Sequence, residues 1–438
     1  MNWTMPVTPL TRGTGPGAAV DWTGRAALFL FAGFALLGTA PANIGLVLMA
    51  LLCLVQAGPR WREGLTWPPL VLGLAALLLM GSLLLAGSLA DPERAGHYLR
   101  LWLALPVAWW VTRLRDPRSV GLLLAAALAG FILGRLLKID PAVPLAAYTR
   151  RDGLGLPVIA FGQYCAAGFM VLVLMLPELW RARPRGRWLV PAALGLLVVT
   201  GVLALGLVLS RARGAWLALA LVLPAAALLR LWLLSRAPGG PRFGRSVLLA
   251  AAGAALLAGG LWWAAGDLIA GRITAESASW QAMIDARWED VGTGSVGVRV
   301  HMIRQGLEWW LQRPWLGWGP GSVEQLLPGL DGSPIQRFND LHNAYVHTLV
   351  ELGLVGLALL LGLFALAFVA LVRGWRRGRV SDGMLVAVAA ALALHLLAAA
   401  TNYRLYNVDW QFYWTLFGGL ALAAPGWPRP EGNQTSRA

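Results

Sequence analysis

The chain has 438 residues, of which 58% are hydrophobic and only 13% charged, and it carries a net charge of +15. So few charges cannot build the polar shell of a soluble protein of this length. The positive excess lies in short connections between apolar runs, where topology and anionic lipid headgroups account for it and nucleic acid does not. Those runs are continuous and come close to the ~20 residues that cross a bilayer as helix, whereas a transmembrane barrel would alternate apolar and polar residues. Lipid offers backbone groups no outside partner, so the expectation is an all-α, polytopic membrane protein. Cys53 and Cys165 lie far apart inside apolar runs, which implies neither a disulfide framework nor a metal site. No short apolar segment with a small-residue cleavage site opens the chain, so the first run is expected to be a retained helix.

In chain order the predicted spans are 24–39, 42–57, 68–88, 97–112, 119–137, 156–178, 188–208, 215–233, 247–265, 343–372, 383–401 and 408–424, about twelve transmembrane helices in all. With a cytoplasmic N-terminus every even connection is basic: Arg60 and Arg62; Arg113, Arg115 and Arg118; Arg181 to Arg187; Arg236, Arg242 and Arg245; Arg373 to Arg379. This is the positive-inside pattern, and it supports the helix count as well as the direction. The odd connections then lie outside and are short, except for 266–342. The expected organisation is therefore nine membrane helices over 1–265, a periplasmic loop subdomain at 266–342, and three further helices with a short cytoplasmic tail over 343–438.

Within that loop, Arg299 to Gln312 reads as an amphipathic helix with Met302, Ile303, Trp309 and Trp310 available for burial, suited to a membrane interface. Pro314 ends it, and Gly317, Gly319 and Gly321 predict a tight irregular turn. The turn lacks the Gly-Lys-Ser/Thr ending of a nucleotide-binding loop. Asp340 or Asn339 is expected to cap the next helix, with His342 and Asn343 in its first turn, where an anion would be favoured. His347 and Glu351 are four apart and suited to pair. His342 and His347 are five apart and do not share a face as two zinc ligands would.

Several arginines fall on the side where few are expected: Arg150 and Arg151, Arg211 and Arg213, Arg299 and Arg304, and Arg404. Those in the short turn at 209–214 matter most, because two guanidiniums between apolar helices need an anionic partner, and the planar fork of arginine suits phosphate. A lipid-linked pyrophosphate is the natural candidate. The plainer readings are lipid headgroup binding for Arg211 and Arg213, a solvated helix face for Arg299 and Arg304, capping or packing for His342, and a hydrogen bond to a neighbouring helix for His395. Trp315 and Trp318 in the glycine turn are candidate platforms for a sugar, against a plainer role in the interfacial belt.

His342-Asn343, nine residues and then Gly353-Leu354-Val355-Gly356 resemble the His-Asn/Ser/Gln-x9-Gly-x-x-Gly signature of the O-antigen ligase and polymerase family of bacterial envelope glycosyltransferases. The amphipathic stretch from Arg299 to Gly321, ending in Pro-x-x-Gly-x-Gly, is similar to another element of that family. Ser210-Arg211-Ala212-Arg213-Gly214-Ala215-Trp216 resembles its Ser-Arg-Gly-x-Trp turn with one extra residue, which leaves open whether Arg211 or Arg213 is the matching arginine. The resemblance implies a GT-C-like membrane enzyme of the bacterial inner membrane with its active site facing the periplasm. It would move a glycan from undecaprenyl pyrophosphate to lipid A–core by inverting displacement, without metal or other cofactor. His342, Arg211 and Arg213 would be catalytic; Arg150, Arg151, Arg299, Arg304, Asn343 and Trp318 would bind substrate. The ligase branch is favoured over polymerase because the chain is compact and the His-Asn signature fits ligases best. The alternatives are an O-antigen polymerase, a protein O-oligosaccharyltransferase of the same family, or a transporter of lipid-linked oligosaccharide.

Overall fold

The computed structural model describes residues 16–57, 91–143, 154–182, 186–236 and 277–428, apart from gaps at 38, 117, 141 and 405–406 and with a few isolated positions between these segments. Among the described residues there are helices and connections but no strand. The first half comprises α1 (Pro16–Phe34), α2 (Thr39–Ala57), α3 (Pro92–Leu99), α4 (Ala104–Val111), α5 (Arg118–Leu136), α6 (Val158–Arg181), α7 (Leu189–Ser210) and α8 (Arg213–Ser235). The second half comprises α9 (Ser277–Ile284), α10 (Ser295–Gln312), α11 (Ser322–Leu326), α12 (Ala344–Arg376), α13 (Asp382–Ala399) and α14 (Val408–Ala423).

Six of the described helical segments are long and apolar enough to cross a membrane: Arg118–Leu136, Val158–Arg181, Gly186–Ser210, Arg213–Ser235, Ala344–Arg376 and Asp382–Ala399. The chain is a multi-pass membrane protein. Of the other predicted spans, 24–39 and 42–57 correspond to α1 and α2, and 408–424 to the 16-residue α14. The predicted spans 68–88 and 247–265 lie outside the described residues.

The predicted span 97–112 is not one helix. α3 and α4 are separated by a 3₁₀ turn at Arg100–Leu103. Pro106 has no N–H for the carbonyl four residues before it, and its ring crowds that carbonyl, so the preceding turn departs from α geometry. Helix α14 packs on this irregular stretch and supplies donors: Gln411 Nε2 to the His97 carbonyl at 3.0 Å and the Trp414 indole to the Leu101 carbonyl at 2.7 Å. Trp110, Phe364, Trp410 and Trp414 are fully buried around this contact.

Polar groups inside the bundle are mostly matched. Arg230 of α8 pairs with Glu178 of α6, and a Cβ on Gly383 at the start of α13 would meet that carboxylate at 2.5 Å. Arg135 donates to the Leu154 and Leu36 carbonyls at 2.6 and 2.7 Å. His395, expected to hydrogen-bond a neighbouring helix, is stacked between Trp410 and Tyr413 with centroids at 4.5 and 5.0 Å, and its Nε2 makes no hydrogen bond among the described residues.

The loop has a small core of its own, made of Val298, Met302, Trp309, Val323, Leu327, Ile335 and Leu341 together with Val346 and Val350 of α12. Helix α10 begins four residues before its predicted start, at Ser295, and turns Met302 and Trp309 inward. The loop core thus closes on the first turns of α12, and the helix breaks immediately afterwards. Gly353 has φ 64° and ψ −165°, so α12 is two helices end to end. Only glycine adopts this backbone without cost, and a Cβ there would also meet the Trp315 carbonyl oxygen at 2.2 Å. Gly353→Ala should therefore cost on the order of 2 kcal/mol or more. The expected readout is a lower melting temperature of the purified protein in detergent; unchanged melting would show that the break does not need glycine.

Candidate functional site

The break in α12 exposes carbonyls before it and amides after it, and the glycine turn at 314–321 supplies partners for both. The Trp318 and Gly319 amides donate to the Val350 and Glu351 carbonyls at 2.8 and 2.9 Å. In return the Pro314 and Trp315 carbonyls accept from the Leu354 and Val355 amides at 2.8 and 3.2 Å. Such close backbone contact leaves no room for side chains: a Cβ on Gly317, itself at φ 69°, would lie 2.5 Å from the Val350 oxygen. The two glycine motifs read from the sequence are the two halves of one joint.

Beside the joint lies a buried polar cluster. Glu351 Oε2 accepts the Tyr98 hydroxyl of α3 at 2.6 Å and its Oε1 the Gly321 amide at 2.8 Å, and His347 Nε2 stands 3.1 Å from the same Oε1. The His347 ring packs on Tyr403 at 3.8 Å between centroids. The i,i+4 pairing of His347 with Glu351 was legible in the sequence. The parts played by Tyr98 and Tyr403 were not, because both come from distant segments. A further pair, Arg94 with Glu324, fastens α3 to α11.

Just ahead of α12, Asp340, His342 and Asn343 form a compact turn. Asn343, not Asp340 or Asn339, is the helix cap: its Oδ1 accepts from the Tyr345 and Val346 amides, both at 3.0 Å. Its Nδ2 donates to the Ala400 carbonyl at 3.0 Å. Both ends of this amide are engaged within the protein, and its place as the cap corrects the expectation that Asn343 lies in the first helical turn. The cap leaves His342 outside the helix at φ 48°, a left-handed conformation uncommon for a side-chain-bearing residue. Asp340 stabilises that conformation by accepting the His342 amide at 2.7 Å, and it also binds His342 Nδ1.

Burial alone would raise the Asp340 carboxyl, but hydrogen bonds from the His342 ring and amide, with the nearby imidazoles of His342 and His347, hold it below the usual carboxylate range. An ionised Asp340 accepts, so Nδ1 carries a proton and Nε2 is directed away from the carboxylate. The His342 side chain remains 30% exposed and Phe338 meets its ring edge-on at 5.3 Å. This is an imidazole oriented by a carboxylate, with its second nitrogen available.

The arginine turn approaches from another direction. Arg211 closes α7 in the left-handed region at φ 50° and is exposed; Arg213 opens α8 and is half-buried. Ala212 gives α8 no side-chain cap, and the Ala215 amide turns back to the Ala212 carbonyl at 3.0 Å. Among the described residues neither Arg211 nor Arg213 makes an ion pair. The turn packs on α13's end: a Cβ on Gly214 would lie 2.5 Å from Thr401 Oγ1. Ala400, next in sequence, holds Asn343. Residues 400–401 therefore tie the arginine turn and the histidine turn to one place.

The remaining candidates separate from this pair. Arg150 and Arg151 lie outside the described residues. Arg299 curls back on its own helix, bonding the Ser295 carbonyl and hydroxyl at 2.7 and 2.6 Å. Arg304 is an exposed i,i+4 partner of Glu308 at 3.2 Å. Arg404 pairs with Asp409 at 3.2 Å. Trp318 is no open platform: its indole donates to the Trp309 carbonyl at 2.9 Å and the Arg313 guanidinium lies 4.0 Å over its ring.

Residues 198–361 match the model of a family described as O-antigen ligase. The match spans less than half of the chain, which over this stretch is similar to the O-antigen ligase family. No curated protein matches it. The stretch shared with the O-antigen ligase family contains the arginine turn, the glycine turn, the Asp340–His342 pair and the break at Gly353.

Replacing Asp340 by Asn should leave the fold in place while releasing the His342 tautomer, and activity should fall by about 10²-fold or more. Stability should shift in a defined direction. A carboxyl held low in the folded state contributes in full above its unfolded value of ~4 and loses that contribution as the pH falls below it. Melting curves of the parent and Asp340→Asn proteins should accordingly differ at pH 7 and converge in acid; parallel curves across that range would count against the pairing.

Proposed function

We propose that this chain is an O-antigen ligase in the strict sense, transferring a glycan en bloc from undecaprenyl pyrophosphate to lipid A–core at the periplasmic face of the bacterial inner membrane. The observation that carries the reading is the oriented imidazole of His342 tied, through residues 400–401, to two arginines that make no ion pair among the described residues, at the turn that opens α8.

In this mechanism the acceptor hydroxyl oxygen attacks the anomeric carbon of the donor sugar. The bond from that carbon to the pyrophosphate oxygen breaks on the opposite face, and configuration inverts. The hydroxyl proton passes to His342 Nε2, and Asp340 stabilises the imidazolium that results. Such general-base assistance typically contributes about 10²–10⁴-fold. The leaving pyrophosphate gathers negative charge, which Arg211, Arg213 and the positive end of the α8 dipole are suited to neutralise. A metal is not required by this scheme: His342 and His347 engage separate carboxylates, Asp340 and Glu351. Arg150 and Arg151 are proposed to meet the anionic acceptor. Arg299, Arg304 and Trp318 are assigned supporting roles in the loop, in keeping with their partners within α10 and the glycine turn.

The reading is tested with purified protein, undecaprenyl-pyrophosphate glycan and lipid A–core in the presence of a chelator, with products resolved by gel. Laddered lipopolysaccharide supports ligation. Growth of the donor chain alone would assign a polymerase, and neither product would favour transport. His342→Ala should reduce transfer by about 10²-fold or more while membrane insertion is retained. Arg211→Ala and Arg213→Ala together should weaken donor binding by ~10- to 100-fold. Unchanged donor affinity in that double variant would remove the pyrophosphate assignment.

A further inference from the structure

Helix α10 has two apolar faces, and the loop core uses one. Met302 and Trp309 point into that core, whereas Leu307 and Leu311, one turn apart, are exposed, Leu311 by 66%. The chain then turns at Pro314 and presents Trp315, 68% exposed, and Leu316. Four large apolar side chains in one stretch of ten residues are costly in water. Charged neighbours bound this edge: Arg304 and Glu308, both exposed, form their ion pair on the same helix.

What this edge adjoins is decided by the joint in α12. The Trp315 carbonyl accepts the Val355 amide at 3.2 Å, and a Cβ on Gly353 would touch both Trp315 and Leu316 backbone atoms. Trp315 and Leu316 therefore stand beside Leu354, the first residue after the break. From Leu354 an outward stripe continues along α12 through Leu361 and Val369, spaced as one face of a helix. That stripe is entirely apolar and belongs to a helix long enough to cross a bilayer, so lipid chains cover it. The exposed edge of α10 and its turn extends the same surface at its end, where tryptophan and charge-flanked leucines are favoured at a membrane–water boundary.

We infer that α10 is an interfacial anchor: Leu307, Leu311, Trp315 and Leu316 are immersed in the lipid interface, continuous with the lipid-facing stripe of α12. The occupant of this edge is the bilayer itself. Because Trp315 and Leu316 lie in the turn that closes the helix break, the anchor also fixes the depth at which the loop sits on the membrane.

Spin labels report this directly. The full-length protein carrying Cys53→Ser, with Cys165 buried, is placed in lipid nanodiscs with single cysteines at Leu307, Leu311 or Leu316, and collision rates with oxygen and with a water-soluble nickel chelate are compared. Leu361→Cys serves as the lipid reference and Asp331→Cys, exposed in the loop, as the water reference. The expected result is an oxygen-to-nickel ratio at 307, 311 and 316 severalfold above that at 331 and approaching that at 361. A ratio equal to that at 331 would place the edge in water and overturn the inference. Protection from both reagents would mean protein covers it, a second copy of the chain included, and would overturn it equally. A Leu361 label that fails to read as lipid removes the continuity on which the inference stands.

Discussion

Everything near the candidate site depends on how a broken helix keeps its backbone hydrogen-bonded. A break at Gly353 strips partners from the last carbonyls of one helix and the first amides of the next, and unpaired groups of that kind cost about 1–3 kcal/mol each when buried. The glycine turn at 314–321 meets both sets, with two amides given and two carbonyls accepting. Its glycines are needed because backbone must lie directly on backbone, and a Cβ at Gly317 or Gly353 would fall within 2.5 Å of the opposite chain. Motifs separated in sequence thus form a single mechanical element.

That element connects the loop to the membrane helices in a fixed register. The part of α12 before the break carries His347 and Glu351 and completes the loop core with Val346 and Val350. Tyr98 reaches Glu351 across 253 residues of sequence, so the short helix α3 is recruited to the same joint. His342 then stands at the head of a segment held by its cap, by its core and by the joint. An imidazole whose position is determined this many ways suits the general-base role proposed for it.

Electrostatics sorts the arginines. Those that looked anomalous by topology divide according to what lies within reach: Arg404 takes Asp409, Arg304 takes Glu308, and Arg299 folds onto Ser295. Arg230, inside a span, is matched by Glu178. Arg211 and Arg213 differ because the turn between α7 and α8 is too short to bring an acid of its own. A charge left unmatched beside lipid is expensive unless an external anion completes it, and this contrast with the paired arginines supports the donor-binding reading.

Sequence alone determined what rests on short-range periodicity and composition: an all-helical membrane chain, an amphipathic helix ending at Gln312 with Met302 and Trp309, two of the four residues offered for burial, turned inward, and the His347–Glu351 pair. These follow from spacing along one element, where 3.6 residues per turn decides which side chains meet. Tertiary structure decided the rest. Gly353 stands out in the sequence only as part of a Gly-x-x-Gly pattern inside a long apolar run; that it breaks the helix is decided where the Trp315 carbonyl occupies the space a side chain would need. Asn343 becomes the cap, and Asp340 the partner of His342, because Ala400 is within reach to take the other end of the Asn343 amide. The predicted span at 97–112 breaks where α14 stands ready with Gln411 and Trp414 to satisfy the carbonyls. In each case the deciding partner is distant in sequence, and no local pattern encodes which distant group will supply a hydrogen bond or fill a space.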